Sequence, residues 1–216
     1  MRSWQSHLPI SYDIKESLME SGNATPSVPS TPAAPDFRER PKRINLEQMV
    51  AVKGLGKLIL RPIRPEDEEE MVQFHQNISD ESIYMRYFEY LGLDRRTAHE
   101  RLIGICTNTP ESYAIVVERP AALRRTAAIL AVGRLTRTPQ PLVATFDTLL
   151  TDEAQTTKLP KVLLTRLIKI AHAFGFQALT GELLVSDHDA LNVCRALGFS
   201  LQTILNEGMV RVSLKL

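Results

Sequence analysis

Hydrophobic and polar positions follow three patterns in turn between residues 142 and 185. Residues 142–151 are rich in β-branched and apolar side chains over the length of one strand. From Pro160 to Phe174 the apolar residues recur every three or four positions, which predicts a helix that Gly175 ends. Residues 178–185 form a second apolar run. The pattern predicts a strand–turn–helix–strand unit whose helix N-terminus exposes N–H groups suited to a phosphate.

Similar patterns predict further strands and helices from residue 44 onward. Strands are predicted at 44–52, 57–63, 113–118, 126–136 and 209–216, and helices from Pro65, from Ser79, from Asp94 through Ile105, and from Asp187 to Gly198. Residues 152–159 are predicted to be a connection. Strands interleaved with helices in this order predict a mixed α/β (α+β) domain.

The N-terminal part of the chain has a different composition. Residues 22–41 are rich in Pro, Ser, Thr and Ala, and such a segment buries too little apolar surface to offset its ordering entropy. We therefore predict a flexible N-terminal arm and Pro/Ser-rich linker over residues 1–43 and a folded domain over residues 44–216.

Composition narrows the classes of partner and compartment. The chain has 216 residues, of which 44% are hydrophobic, and a net charge of +1, so neither nucleic acid nor a membrane is expected as a main partner. Cys106 and Cys194 lack paired spacing, and no apolar run approaches about 18 residues or resembles a signal peptide. These features predict a reduced, cytoplasmic protein. The histidines show no ligand spacing, so no metal site is expected.

Two motifs stand out before the predicted sheet. The first is RPIRPED at residues 61–67, followed by an acidic run that we interpret as helix capping and solvated surface. The second is S-x-E-S-x-Y-x-R-Y-F at residues 79–88. We expect Tyr84, Tyr87 and Phe88 to pack in the core, whereas Arg86 is the better functional candidate.

These motifs and the turn at residues 150–160 resemble those of the GNAT superfamily of N-acetyltransferases, most of all the acetyltransferase domain of bacterial protein-lysine acetyltransferases. The resemblance covers residues 44–216. It implies a GNAT fold, with a central mixed, mostly antiparallel sheet flanked by helices. It also implies acetyl-CoA as cofactor and direct attack of an amine on the acetyl thioester.

The acetyl-CoA turn departs from the family pattern V-S-D-x-x-Q-G-x-G-L-G. Thr156, Lys158 and Pro160 stand at its three glycine positions, so N–H groups and close backbone approach are lost. The exposed cations Lys158 and Lys161 offset this only in part, and we expect weak or altered binding. The resemblance assigns the following residues to the cofactor: Leu149, Leu150, Thr151, Gln155, Thr156, Thr157, Lys158, Leu159, Lys161 and Asp187.

The catalytic positions depart from the family as well. Thr145 stands where the family carries its glutamate base, and a hydroxyl is no base near neutral pH. Asp147 projects from the same strand face and is one candidate base, and Glu182, in a G-E-L-L run that matches the family, is the other. Cys194 stands at the position of the family's tyrosine proton donor, although a small buried packing role is the alternative.

Two hypotheses remain open on the sequence alone. The first is an acyl-CoA-dependent N-acyltransferase that acts on a protein lysine or another primary amine. The second is a catalytically degenerate GNAT domain, a pseudoenzyme that binds a partner or senses a ligand through the cleft that active members of the family use for catalysis. The sequence leaves the acyl group, the acceptor and the oligomeric state undetermined.

Overall fold

A computed structural model of the chain describes residues 34–39, 41, 44–122, 127–205 and 207–216. The arm and most of the linker predicted for residues 1–43 lie outside this part, so that domain boundary stays a prediction. Phe37, inside the predicted linker, is nevertheless buried at 4% exposure. Its ring packs on Tyr113, Phe174 and Phe176 with centroid distances of 5.9, 4.9 and 5.3 Å. Phe37 therefore belongs to the core, although the segment around it is poor in apolar residues.

The described strands form one eight-stranded sheet in the order β1-β2-β3-β4-β5-β6-β8-β7. They are β1 Gln48–Val52, β2 Gly56–Pro62, β3 Ser112–Arg119, β4 Ala128–Arg137, β5 Val143–Leu150, β6 Ala178–Leu184, β7 Ser200–Ile204 and β8 Met209–Lys215. β5 and β6 pair in parallel, and every other neighbouring pair is antiparallel. The predicted fold class, a mixed and mostly antiparallel sheet flanked by helices, is confirmed.

Helices cover both faces of the sheet. They are α1 Glu68–Gln76, which follows a 3₁₀ turn at Pro65–Asp67, α2 Asp80–Tyr87, α3 Leu93–Arg96, α4 His99–Ile105, α5 Asp152–Gln155, α6 Leu159–Phe174 and α7 His188–Ala196. One buried cluster joins α6 and α7 to the sheet, and a second joins α1, α2 and α4 to its opposite face. Ser79 caps α2 and Gly175 ends α6 with φ of 95°, as the sequence predicts.

β5 and β6 diverge soon after they begin. Their pairing covers only Val143 to Thr145 on β5 and Ala178 to Thr180 on β6. Beyond these residues the ring of Phe146 lies beside Gly181, where an added Cβ would come within 2.7 Å of the ring. The two strands therefore open into a wedge, which we call the splay.

One predicted element was wrong in detail, and one strand was missed. The helix predicted from Asp94 through Ile105 is two short helices, because Ala98 is extended with ψ of 131°. The buried Arg96 ends the first of them and bonds Ile78 O and Asp80, which fixes the chain direction there. β7 was not predicted, since this short strand at the sheet edge is largely exposed and lacks an apolar run.

Two predicted environments were also wrong. The acidic run after Pro65 is not uniformly solvated, because Asp67 is 5% exposed. Its carboxylate accepts two hydrogen bonds from Arg61, at 2.8 and 2.6 Å. Phe88 is 41% exposed instead of buried, because it ends α2 in the left-handed region with φ of 59° and so turns away from the helix face.

Candidate active site

The connection predicted between β5 and α6 contains the short helix α5. In it the N–H groups of Ala154 and Gln155 donate to Thr151 O at 2.9 and 3.1 Å, and that of Thr157 donates to Ala154 O at 3.2 Å. All three donors are thus used inside the turn. Residues without glycine fold here as an ordinary helical turn and leave those N–H groups no freedom to face a phosphate.

The first turn of α6 has little to offer an anion either. The Leu159 N–H donates to the Thr157 hydroxyl at 3.1 Å, and Pro160 has no N–H. Lys158 and Lys161 are exposed and provide the cations of this turn. A phosphate at this helix end would therefore meet the side-chain charges and the N–H groups of Lys158 and Lys161, and fewer backbone donors than a glycine-rich turn offers.

Side chains of the same turn tie it to the start of α2. Asp152 Oδ1 accepts from the Ser79 N–H at 3.3 Å and from the hydroxyls of Ser79 and Ser82 at 3.1 and 2.9 Å. Gln155 Nε2 donates to the Ser82 hydroxyl at 2.8 Å and to Leu150 O at 3.2 Å. Gln155, a predicted cofactor residue, therefore acts as a tether between the turn and α2.

The remaining predicted cofactor residues lie along β5, the turn and the start of α7. Leu149 and Leu150 alternate between the two faces of the sheet, in different buried clusters. The Thr151 hydroxyl is buried without a hydrogen-bond partner among the described residues. Thr156 is exposed. Asp187 caps α7 by accepting from the Ala190 N–H at 3.0 Å, and burial raises its pKa.

The two candidate bases lie on the same face of the sheet. Phe146 and Gly181 face each other on the α6 side, so the next residues, Asp147 and Glu182, point to the side that α2 covers. Thr145, which also points to that side, donates from its hydroxyl to Thr180 O across the last β5–β6 pair. The splay therefore has one carboxylate on each of its strands.

Each carboxylate has an arginine partner. Asp147 Oδ1 lies 2.6 Å from the guanidinium of Arg86 on α2, and both side chains are about three-quarters buried. Burial alone would lower the pKa of Arg86, but the charge and hydrogen bond of Asp147 together with the neighbouring Tyr87 outweigh it and the pKa is raised, so the guanidinium stays charged. Glu182 Oε1 lies 2.8 Å from Arg211, its directly paired neighbour on β8, and this ion pair is exposed.

Cys194 lies elsewhere. It is a residue of α7, is 1% exposed, and lies in the buried cluster on the α6 side of the sheet. Burial raises its pKa to about 12, so the thiol stays protonated. The structure thus brings Asp147 and Glu182 to one face and leaves Cys194 in the core on the other, where its role as a proton donor stays a prediction.

A cavity of about 220 Å³ lies beside Asp147, between the sheet and the helices α1, α2 and α4. Its polar wall includes Arg86, Asp147, His75 and Arg134. Sequence reasoning singled out the first two and missed the last two. His75 sits on α1 and Arg134 on β4, and no local pattern signals that the fold brings them together.

Metal-type clusters and membrane-spanning helices are both absent from the described part of the chain. No three of its His, Cys, Asp or Glu residues are grouped so that they could hold a metal ion. None of the helices in the described ranges has both the length and the apolar character to cross a membrane.

A parallel pair of strands that splays in the middle of a mostly antiparallel sheet, with a helix beginning just after the first of them, is the arrangement of the GNAT fold. No family model matches the chain. Solved structures do match it. The GNAT domain of S. lividans PAT is 21% identical, with a TM-score of 0.69 over 82% of this chain and 100% of that one.

Two further structures hold CoA-type ligands. Mycobacterium smegmatis RimJ in complex with CoA-disulfide is 12% identical, with a TM-score of 0.63 over 82% of this chain and 90% of that one. Salmonella typhimurium yncA with its cofactor acetyl-CoA is 14% identical, with a TM-score of 0.51 over 73% of this chain and 93% of that one. At these identities the likeness shows the fold, and this chain has the GNAT fold that its motifs predicted.

The described residues fit the pantetheine arm of acetyl-CoA but fit its pyrophosphate poorly. Beyond Thr145 the edge of β5 has no ladder with β6, and such an edge can pair with an extended, amide-bearing arm such as pantetheine. The pyrophosphate half fits poorly, because Thr157 takes the Leu159 N–H and Pro160 contributes none. Lys158 and Lys161 are the residues that would hold the phosphates.

Proposed function

We propose that this chain is an acyl-CoA-dependent N-acyltransferase that transfers an acetyl group to a primary amine. One observation carries the proposal: the splay between β5 and β6 opens beside Asp147, which also lines the cavity under α1 and α2. An acyl thioester held in the splay and an amine held in the cavity would meet at this carboxylate. The buried, unpaired cysteines support a reducing, cytoplasmic setting.

Acetyl-CoA, when bound, supplies the thioester: the amine nitrogen forms a C–N bond to the acyl carbon, the C–S bond breaks, and the sulfur leaves with the electron pair. Asp147 takes the proton that the nitrogen loses, and solvent returns a proton to the thiolate. Arg86 orients Asp147 through their 2.6 Å ion pair. Glu182, on the same face across the splay, is the second candidate for this proton transfer.

The family resemblance makes a protein lysine one candidate acceptor. A lysine side chain would enter the cavity as an amine beside Asp147. The charges of the cavity bear on this choice, since Arg86 and Arg134 both lie on its wall.

A second function is favoured by the turn before α6. Four of its N–H groups, those of Ala154, Gln155, Thr157 and Leu159, are used internally, and Pro160 stands where a glycine would donate. This supports a degenerate domain that binds a ligand or a partner without acyl transfer. Under this alternative the cavity is a sensing site and acetyl-CoA binding is weak or lost.

The test is amine-dependent release of free CoA thiol from acetyl-CoA by the full chain. We expect turnover that Asp147→Asn lowers by about a hundredfold or more, the usual contribution of a general base. Glu182→Gln measures the second candidate in the same assay. Asp94→Asn, the same change at an exposed position of α3, is the matched control.

Absence of turnover with every amine tried would reject the acyltransferase proposal in favour of the binding domain. Equal rates for the native chain, Asp147→Asn and Glu182→Gln would show that neither carboxylate is the base.

A further inference from the structure

The cavity beside Asp147 has an open side and a buried end. Asp147 and Arg86 retain 29% and 26% exposure of their side chains and lie on the open side. His75 is 1% exposed and lies on the wall formed by α1. At about 220 Å³ the cavity is below the roughly 300–1,000 Å³ of most ligand pockets, so it suits a small molecule.

His75 carries polar atoms that lack partners. Neither ring nitrogen has a hydrogen-bond partner among the described residues. Burial and the charges of Arg101 and Arg96 lower its pKa to about 4, so the ring is neutral near pH 7. A neutral imidazole has one donor and one acceptor nitrogen, and buried groups of this kind are normally satisfied. A polar ligand group in the cavity would give the His75 nitrogens the hydrogen-bond partners that they lack.

The charge of the cavity is positive. Asp147 is already paired with Arg86, and Arg134, directly opposite Asp147 on β4, donates to the neutral oxygens of Ser112 Oγ, at 2.6 Å, and Ile105 O. Burial lowers the pKa of Arg134; the charge of Asp147 opposes this in part, and the nearby charge of Arg86 adds to the lowering. The guanidinium charge of Arg134, which is bonded to neutral oxygens, would be stabilised by an anion in the cavity and would repel a cation.

We propose that the acceptor is a small amine that also bears a carboxylate, of the amino-acid type, with its amine at Asp147 and its carboxylate toward Arg134 and His75. Asp147 on the open side suits the amine that must reach the splay, and the arginine and imidazole suit the anion. A bare lysine side chain brings only a cation to this wall. The assignment as acceptor rests on the proposed acyltransferase function, whereas the binding itself does not.

The experiment is calorimetric titration of the full chain, without acyl-CoA, with the protein amino acids and with the amine made by decarboxylating each. We expect at least one amino acid to bind at least tenfold more tightly than its amine. Arg134→Gln is expected to weaken that binding at least tenfold, and Lys169→Gln, which removes an exposed charge on α6, to leave it unchanged.

His75→Leu gives an independent readout should Arg134→Gln fail to fold. It removes two unsatisfied nitrogens, so we expect a higher melting temperature together with weaker amino-acid binding, a combination that a purely structural histidine would not give. Amines that bind as tightly as amino acids, or no amino acid bound at all, would overturn the inference. An amino acid that binds but is never acylated would refute only the acyltransferase function.

Discussion

Replacing Thr157 by valine and Pro160 by glycine is expected to tighten acetyl-CoA binding. The Thr157 hydroxyl accepts the Leu159 N–H at 3.1 Å, and valine has the same shape without the hydroxyl. Glycine restores an N–H at position 160 and removes the side chain from the first turn of α6. The double change would therefore present two further backbone donors, at positions 159 and 160, to the pyrophosphate at a helix N-terminus.

The magnitude follows from the number of hydrogen bonds restored. A hydrogen bond to a charged group contributes about 1.5–3 kcal/mol, so even one well-aligned donor should raise the affinity by about tenfold to a hundredfold. The fold loses both hydrogen bonds of the Thr157 hydroxyl, which also donates to Ala154 O at 2.7 Å, at about 1–3 kcal/mol in total, and the proline restraint, at about 0.4–1 kcal/mol. A net stability of about 5–15 kcal/mol, ordinary for a domain, tolerates this loss.

The assay is calorimetric titration with acetyl-CoA and, separately, with S-acetylpantetheine, which lacks the pyrophosphate. The gain should be confined to acetyl-CoA. Thr165→Val is the matched control, because the Thr165 hydroxyl donates to Lys161 O at 2.7 Å within α6 and faces no proposed ligand. A folded double variant with unchanged acetyl-CoA affinity, or with the same gain for S-acetylpantetheine, would refute the reasoning.

Four further predictions concern stability and reactivity. Asp67→Ala should lower the unfolding free energy in urea by about 1.5–3 kcal/mol, because the buried Arg61 loses one charged partner and keeps only Glu118, at 2.6 Å; a loss below about 1 kcal/mol would mean that the pair is effectively solvated. Gly181→Ala should cost about 1–3 kcal/mol, since the new Cβ would lie 2.7 Å from the Phe146 ring, and Phe146→Leu should recover part of that cost. His75 has its pKa lowered to about 4 in the fold against about 6.5 unfolded, so protonation favours the unfolded chain. Protonation of His75 therefore leaves the unfolding free energy unchanged above about pH 6.5 and lowers it by about 3 kcal/mol as the pH falls to about 4. His75→Leu should flatten this part of the curve of stability against pH. Cys194, with its pKa raised to about 12 by burial, should resist iodoacetamide near pH 8 until the chain is unfolded, and rapid labelling of the folded chain would contradict its buried position.

The fold was largely predictable because its signals are local. The apolar stripe of α6, Gly175 at its end and Ser79 at the start of α2 each follow from a few neighbouring residues. The predicted strand at 142–151 also placed Asp147 on the same face as Thr145, by the alternation of side chains along a strand.

The site was less predictable because its contacts join distant parts of the chain. Arg86 and Asp147 were both singled out, but no pattern in either segment indicates that they form an ion pair. The burial of Asp67 likewise depends on its contact with Arg61 in β2. Nothing near Asp67 in the sequence indicates that contact, so the acidic run was predicted to be solvated surface. The loss of the turn glycines was visible in the sequence, whereas the use of its N–H groups by Thr151 became visible only in the folded backbone.

The most direct test of the central claim, that the splay holds an acyl-CoA, is titration of the native chain with acetyl-CoA and with S-acetylpantetheine. We predict that both bind and that their dissociation constants differ by no more than about tenfold, because the arm is held by the edge of β5 and the phosphates meet chiefly the exposed Lys158 and Lys161. No binding of either compound at millimolar concentration would contradict the claim and leave the chain a domain that binds something else.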